Sequence, residues 1–331
     1  MISFGIYYQI QIRRTIRKHN HNCELQYMKQ YLESPLLNVL LFSLFWALEV
    51  FTAKLAFLGG AQVFPFTIQS TCITLLLFTS YIVLMRRKEI KKLSFHTTGW
   101  LLLANAIHFG IGGFLSNAGV QLTTAINAGF LLQFTIVTGT LLAWIILKER
   151  MTKAKVMAVI TVMIGTFLLV TRGKINPPHI GDLLILLACI AWAVGGIIIK
   201  IILKSTSINP DVVSFFRPIG GMPVLIGFAA FAPLYPTSVQ NIFQSNVFEI
   251  HQPVYVLLNA VFITFTWLFV NRTLKVASAS YTAMLPAITP ILLALLGVFV
   301  LKEEIEIIQI IGIVFILSSS FVAHYLHFEK H

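Results

Sequence analysis

Apolar runs long enough to cross a lipid bilayer recur along the whole chain, and few folds can use them. A hydrocarbon core about 30 Å thick needs roughly 20 helical residues per crossing. Ten segments meet that need: Leu36–Phe57, Val63–Met85, Gly99–Ala118, Thr124–Leu147, Val156–Thr171, Gly181–Leu203, Val212–Ala232, Val254–Val270, Ala277–Leu301 and Ile307–Leu326. The fifth and eighth are the shortest. The first has a clean start, with Ser34 as N-cap and Pro35 at the first helical position. Composition agrees: 57% of the 331 residues are hydrophobic and 11% charged, against roughly 25% charged in a soluble domain. So few charges cannot clothe a globular surface. A soluble enzyme, a secreted disulfide scaffold and a disordered chain are excluded.

Charge placement sets the orientation. Of 24 Lys and Arg residues, only Arg172, Lys174 and Lys302 fall on one side of the ten spans, and Lys54, Lys200 and Arg217 lie within them. The rest share the other side, which predicts that both termini are cytoplasmic in a multi-pass plasma (inner) membrane protein. A net charge of +12 is then a property of short loops beside the membrane, and nucleic acid is not an expected partner. Met1 to Leu32 is polar and basic, without the apolar core or cleavage site of a removable signal peptide. Residues 1–27 read as a dispensable basic tail; contact with anionic lipid through Arg13, Arg14, Arg17 and Lys18 is the alternative. Cys23, Cys72 and Cys189 have no metal-type spacing, and Cys72 and Cys189 are expected to be small buried hydrophobes.

The two halves repeat. FWALEVFTAK (Phe45–Lys54) aligns with AWAVGGIIIK (Ala191–Lys200), pairing Trp46 with Trp192 and Lys54 with Lys200. Gln69 aligns with Arg217, Asn105 with Asn259, Asn117 with Asn271, and LKE (Leu147–Glu149) with LKE (Leu301–Glu303). Five spans per half is odd, so the second half enters the membrane inverted. Inverted repeats place an interface at the bilayer midplane, where secondary transporters bind substrate. The expected fold is therefore all-α integral membrane, with ten transmembrane helices as two inverted five-helix repeats. The expected domains are a basic arm over residues 1–34, a first repeat over 35–178 and a second over 179–331.

From Leu36 to about Leu326 the chain resembles the drug/metabolite transporter superfamily, specifically its EamA-type ten-helix exporters. The resemblance rests on the Trp…Lys pattern of spans one and six and on Arg217 in SFFRPIGG. It rests also on the matching runs INAGFLLQFTIVTGTLLAWIILKE and SASYTAMLPAITPILLALLGVFVLKE. It implies a transporter of amino acids, nucleobases, sugars, choline-like cations or other metabolites, and a structural or gating role for Arg217. Gln69 departs from the pattern, because relatives often carry a basic residue there.

Polar groups inside a bilayer are costly and need a reason. Glu49 is the one acid well inside a span, on the same face as Trp46. It suits a proton carrier or the counter-charge of a cation; a hydrogen bond within the bundle is the plainer alternative. Lys54 and Lys200, near helix ends, are expected to snorkel to the interface. Arg217 is deeper and is expected to cap carbonyls freed by Pro218 and Pro223. Asn105 and His108 share a face of the third span, and Asn259 repeats the amide in the eighth. Gln133 follows Phe130 on one face of the fourth, and Tyr281 lies near a mouth of the ninth. Trp46, Trp192 and Trp267 stand at interior depth, where indoles suit apolar, aromatic or cationic ligands. Gly195 and Gly196 stand opposite Glu49 and Val50 in the repeat, so one half offers a carboxylate where the other offers empty space. Pro286 and Pro290, one turn apart, permit bending of a gate helix, or a static kink.

The candidate substrate site is therefore Trp46, Glu49, Asn105, His108, Gln133, Trp192, Asn259, Trp267 and Tyr281, with Arg217, Pro286 and Pro290 as gating or structural residues. The expected function is a secondary transporter for an amino acid or related zwitterionic or amine metabolite, working by alternating access, as an exporter. A proton-coupled carrier or efflux protein for organic cations is the alternative. An intramembrane enzyme would show HExxH, paired acids or a Ser/His/Asp cluster, and a channel a polar ring or filter. Neither is present, and no Walker A motif offers ATP as a driver. No metal or cofactor is expected. The expected partners are a small-molecule substrate and the lipid bilayer, with the chain a monomer or weak homodimer.

Overall fold

The computed structural model of the chain describes residues 35–90, 93–171, 179–231, 234, 247–276, 278 and 288–328. Among these, all regular structure is helical. The principal helices are α1 Pro35–Leu58, α2 Val63–Met85, α3 Phe95–Leu122, α4 Ala125–Leu147, α5 Lys153–Thr171, α6 Ile180–Ser205, α7 Pro210–Phe231, α8 Pro253–Val276, α9 Ile288–Phe299 and α10 Ile307–Phe328. Seven of them, α1–α4 and α6–α8, are long and apolar enough to cross a membrane. The apolar stretches Lys155–Leu168 of α5, Thr289–Phe299 of α9 and Ile307–Ser318 of α10 are shorter. The ninth predicted span is described as helix only from Ile288, and Ser34 lies outside the described residues.

Boundaries move where polar residues turn out to have partners. The eighth span, expected to stop at Val270, runs on to Val276. There Asn271 Nδ2 donates to Ser214 Oγ at 2.8 Å, and Arg272 Nε donates to Asp211 at 2.7 Å. Two helices also change winding at mid-depth. In α3, Ala106–Gly113 is wound as a π-helix, a departure common at functional sites. In α4, Leu132 and Gln133 interrupt the ladder: Gln133 N donates to Phe130 O at 3.0 Å and Ile136 N to Gln133 O at 2.8 Å. Both bonds are a residue shorter in span than the α-helical pattern.

The halves pack as related units. α1 lies against α8 as α6 lies against α3, α9 against α1 as α4 against α6, and α5 pairs with its counterpart α10. The correspondence reaches single bonds. Lys54 Nζ donates to Val120 O at 3.2 Å, and its counterpart Lys200 donates to Leu274 O at 2.6 Å. Asn117 donates to Thr67 Oγ1 of α2, as Asn271 donates to Ser214 of α7. Each LKE ends its helix alike. Lys148 and Lys302 take left-handed φ values of 53° and 58°, Glu149 N returns to Ala143 O at 3.2 Å, and Glu303 N to Gly297 O at 3.0 Å. Each return goes back six positions and is carried by one left-handed residue just past the helix. The protein is an all-α membrane fold of two repeats.

Three sequence expectations are corrected. Lys54 does not snorkel: it is buried, its ammonium held by Val120 O and Thr123 O. Cys72 is exposed on the flank of α2, whereas Cys189 is buried with its thiol 3.7 Å from Leu131 O. The space opposite Glu49 is not empty at Gly195. A Cβ there would stand 2.5 Å from His108 Cβ and 2.7 Å from Ala104 O, so the glycine admits the backbone of α3.

Candidate functional site

Trp46 and Glu49 lie one turn apart on α1, a spacing that puts both on one face. Phe42 stacks on the Trp46 indole, with ring centroids 5.4 Å apart, and Trp192 of α6 meets it edge-on at 5.7 Å. Gly112 of α3 makes room for Trp192: a Cβ there would stand 2.5 Å from its ring. His108, on the π-helical part of α3, lies edge-on to Trp267 of α8 at 4.8 Å and tilted over Trp192 at 6.2 Å. The symmetry-related indoles and Trp267 thus enclose an aromatic cluster within one hydrophobic core.

Arg217 of α7 enters this cluster. It is 1% exposed, and its Nη2 donates to His108 Nδ1 at 3.0 Å. The guanidinium lies over the Trp267 ring, with Phe109 at 5.9 Å. It does not cap carbonyls near Pro218 and Pro223; it faces the aromatic cluster. The Thr266 hydroxyl of α8 donates to Phe262 O of its own helix at 2.8 Å, and Asn259 Nδ2 donates to the Glu49 backbone carbonyl at 2.7 Å. A guanidinium keeps its charge in any protein environment. Its burial is offset by the negative face of an indole.

Several polar atoms of the cluster are buried without a hydrogen-bond partner among the described residues: Glu49 Oε2, Arg217 Nε and Nη1, Trp46 Nε1, Trp267 Nε1 and Asn259 Oδ1. Buried polar atoms are ordinarily bonded. A concentration of exceptions, with one acid and one base among them, fits a place that a polar ligand or water completes.

The remaining candidates are spread around it. Asn105 is buried a turn before His108, its Nδ2 donating to Leu101 O at 2.8 Å of its own helix. Gln133 is buried in the break of α4. Pro290 packs on α4, where a Cβ at Gly129 would lie 3.4 Å from its Cα. Tyr281 and Pro286 lie outside the described residues. Gln69 is elsewhere, donating to Val247 O and Glu249 O at 2.9 and 3.0 Å. Sequence reasoning missed Phe109 and gave Arg217 another role. One signal was available: Arg217 is the deepest base and Glu49 the deepest acid in the spans, and two such charges seek each other.

The chain matches the EamA-like transporter family over residues 34–171 and 179–325. It belongs to that family. As an EamA-like chain it is an integral membrane transporter, and the two matched stretches carry α1–α5 and α6–α10. It is 26% identical over 220 residues to the uncharacterized transporter YyaM of Bacillus subtilis, covering 63% of this chain and 68% of that one. An uncharacterized transporter of Archaeoglobus fulgidus is 28% identical over 215 residues, covering 63% of this chain and 64% of its own. YetK of Bacillus subtilis, another uncharacterized transporter, is 26% identical over 212 residues, covering 62% and 61%. The alignments thus span about two thirds of these relatives' lengths. A solved crystal structure of a protein superimposes with a TM-score of 0.62 over 88% of this chain and 98% of that one. At 14% identity that likeness concerns the fold alone.

Proposed function

We propose that this protein is a secondary transporter that moves a zwitterionic or amine metabolite, an amino acid or a related compound, by alternating access, and that it works as an exporter in the plasma (inner) membrane. The observation that carries the reading is that the indole cluster gathers one acid, Glu49, and one base, Arg217, each with buried polar atoms that lack a hydrogen-bond partner among the described residues. An ammonium group matches Glu49 and the face of an indole. A carboxylate matches the free Nε and Nη1 edge of Arg217, whose planar fork suits it. A molecule bearing both groups would satisfy both charges at once. Cytoplasmic termini are part of this reading, supported by the one-sided distribution of basic residues.

The test is a thermal-shift screen of the purified full chain against amino acids, amines, sugars and nucleosides. Zwitterions should raise the melting temperature; saturation at about 100 times Kd stabilises by about 2.7 kcal/mol. Glu49→Gln should remove the shift for any ligand with an ammonium. Arg217→Lys should weaken the carboxylate-bearing ligand and spare the matching amine that lacks it. Shifts with sugars or nucleosides alone would reject the proposal. The indole walls also favour a second reading, an organic-cation or drug carrier coupled to protons. That reading gains if simple amines shift the protein and zwitterions do not.

A further inference from the structure

His108 holds Arg217 by a bond that a proton would remove. A guanidinium has only donors and keeps its charge. Nη2 of Arg217 stands 3.0 Å from His108 Nδ1 and 3.2 Å from Nε2. A hydrogen bond across that gap needs a bare ring nitrogen, so the contact requires a neutral His108. An imidazolium carries a hydrogen on both nitrogens and a positive charge. It has nothing to accept with, and at this distance it repels the guanidinium. Proton and Arg217 therefore compete for one nitrogen lone pair.

The ring is fixed by packing, whereas the guanidinium has somewhere to go. His108 lies in the π-helical part of α3, where a Cβ at Gly195 of α6 would stand 2.5 Å from its own Cβ. Trp267 and Trp192 flank the ring at 4.8 and 6.2 Å. Arg217 instead ends a long stem, with Nε and Nη1 unpartnered among the described residues, and Glu49 Oε2 is a buried acceptor in the same condition. Arg217 of α7 and Glu49 of α1 are the charged groups of the cluster. The flanking charges on α6, α7 and α8 are engaged elsewhere: Lys200 donates to Leu274 O at 2.6 Å, and Arg272 to Asp211 at 2.7 Å. The Cys189 thiol of α6 faces Leu131 O of α4.

We propose that His108 is the proton site of this transporter and makes it an antiporter, exchanging one inward proton for each outward substrate. While His108 is neutral it draws Arg217 to itself, and both Glu49 and Arg217 keep bonding capacity for the charged groups of a substrate. When a hydronium ion gives its proton to the His108 nitrogen, water leaves and the bond to Arg217 breaks. The guanidinium then turns to Glu49 Oε2, and the two charges satisfy each other. A substrate loses both places. Proton and substrate thus bind in alternation, a negative linkage that is reciprocal. The proposal rests on the alternating-access exporter reading above, but not on which class of substrate completes the site.

The first experiment uses protons alone. In the full chain in detergent, Trp100 and Trp144 are replaced by Phe, which leaves Trp46, Trp192 and Trp267 as the emitting indoles. Their fluorescence is followed between about pH 5 and about pH 9, the range in which a histidine titrates. Arg217 lies over the Trp267 ring, so its departure should give a one-proton transition. His108→Gln keeps an acceptor for Arg217 but takes no proton, and it should abolish the transition. A transition that survives His108→Gln, or no transition in the parent chain, overturns the proposal. If His108→Gln does not fold, Arg217→Lys decides: it should move the midpoint by about one pH unit, a tenfold change in proton affinity, and an unmoved midpoint overturns the proposal. The second experiment uses proteoliposomes that enclose a pH-sensitive dye and, in turn, amino acids, amines, sugars or nucleosides. On acidification outside, at least one class should speed proton entry several-fold over empty vesicles, and His108→Gln should remove that gain. Acceleration by sugars or nucleosides alone keeps the proton site and rejects the zwitterion reading; acceleration by no class overturns the antiport.

Discussion

Glu49 and Arg217 set the energetics at the scale of the residue. A buried charge recovers its desolvation cost only when its bonds are made, and here several are not. The two charges are therefore weak stabilisers of the fold. In a double-mutant cycle, Glu49→Gln and Arg217→Gln should each lower the melting temperature, and the double variant should lower it by less than their sum. A coupling above about 0.5 kcal/mol is expected for two charges that share one buried cluster; additive losses would show that the two do not sense each other. His108 follows the same logic. Its Nδ1 accepts from Arg217, so the sequence face shared with Asn105 was visible, but the partner that fixes the ring came from α7. Nothing in local spacing links residues 109 positions apart.

Helix packing divides the glycines into two kinds. Gly165 of α5 meets α10 so closely that a Cβ would lie 2.6 Å from Gly312 O and 2.6 Å from Ile316 Cγ1, whereas Gly196 of α6 has nothing within 4 Å. Membrane helices gain from such close backbone approach. Gly165→Ala should therefore cost about 1–3 kcal/mol through overpacking. Gly196→Ala should be neutral, or stabilising by up to about 1 kcal/mol, because alanine suits a helix interior better. Thermal melts in detergent decide; equal effects would contradict the packing described. Helix existence was legible because apolar length is a property of the segment itself. The widened winding of α3 and the step at Gln133 were not, since both answer to neighbours: Gly220 of α7, for instance, would bring a Cβ to 2.6 Å from Leu102 O.

At the scale of the whole molecule, most ion pairs among the described residues lie at one end. Asp211 receives Arg272 at 2.7 and 3.0 Å and Tyr81 at 2.7 Å, with Arg86 at 3.8 Å, joining α2, α7 and α8. The one-sided basic residues are the ground for expecting that end in the cytoplasm. Single cysteines at Ile90 and Phe248 should accordingly react with an impermeant thiol reagent from opposite faces of the membrane, Ile90 from the cytoplasm. Reaction from the same face would refute the inverted arrangement.

The sequence alone determined the membrane environment, the helices and the two-fold repetition. Each follows from short-range rules: apolar length against bilayer thickness, basic loops against membrane polarity, and identical motifs at near-constant offsets. Tertiary structure decided the charge partners. Lys54 and Lys200 read as surface anchors until packing closed over them and presented helix-end carbonyls. Glu303 was legible only as part of a repeated LKE motif, and folding brings it to the start of α4, 178 residues away. In a low-dielectric interior a charge is stable only where a complementary group meets it, and which group does so depends on distances between helices that no single segment contains.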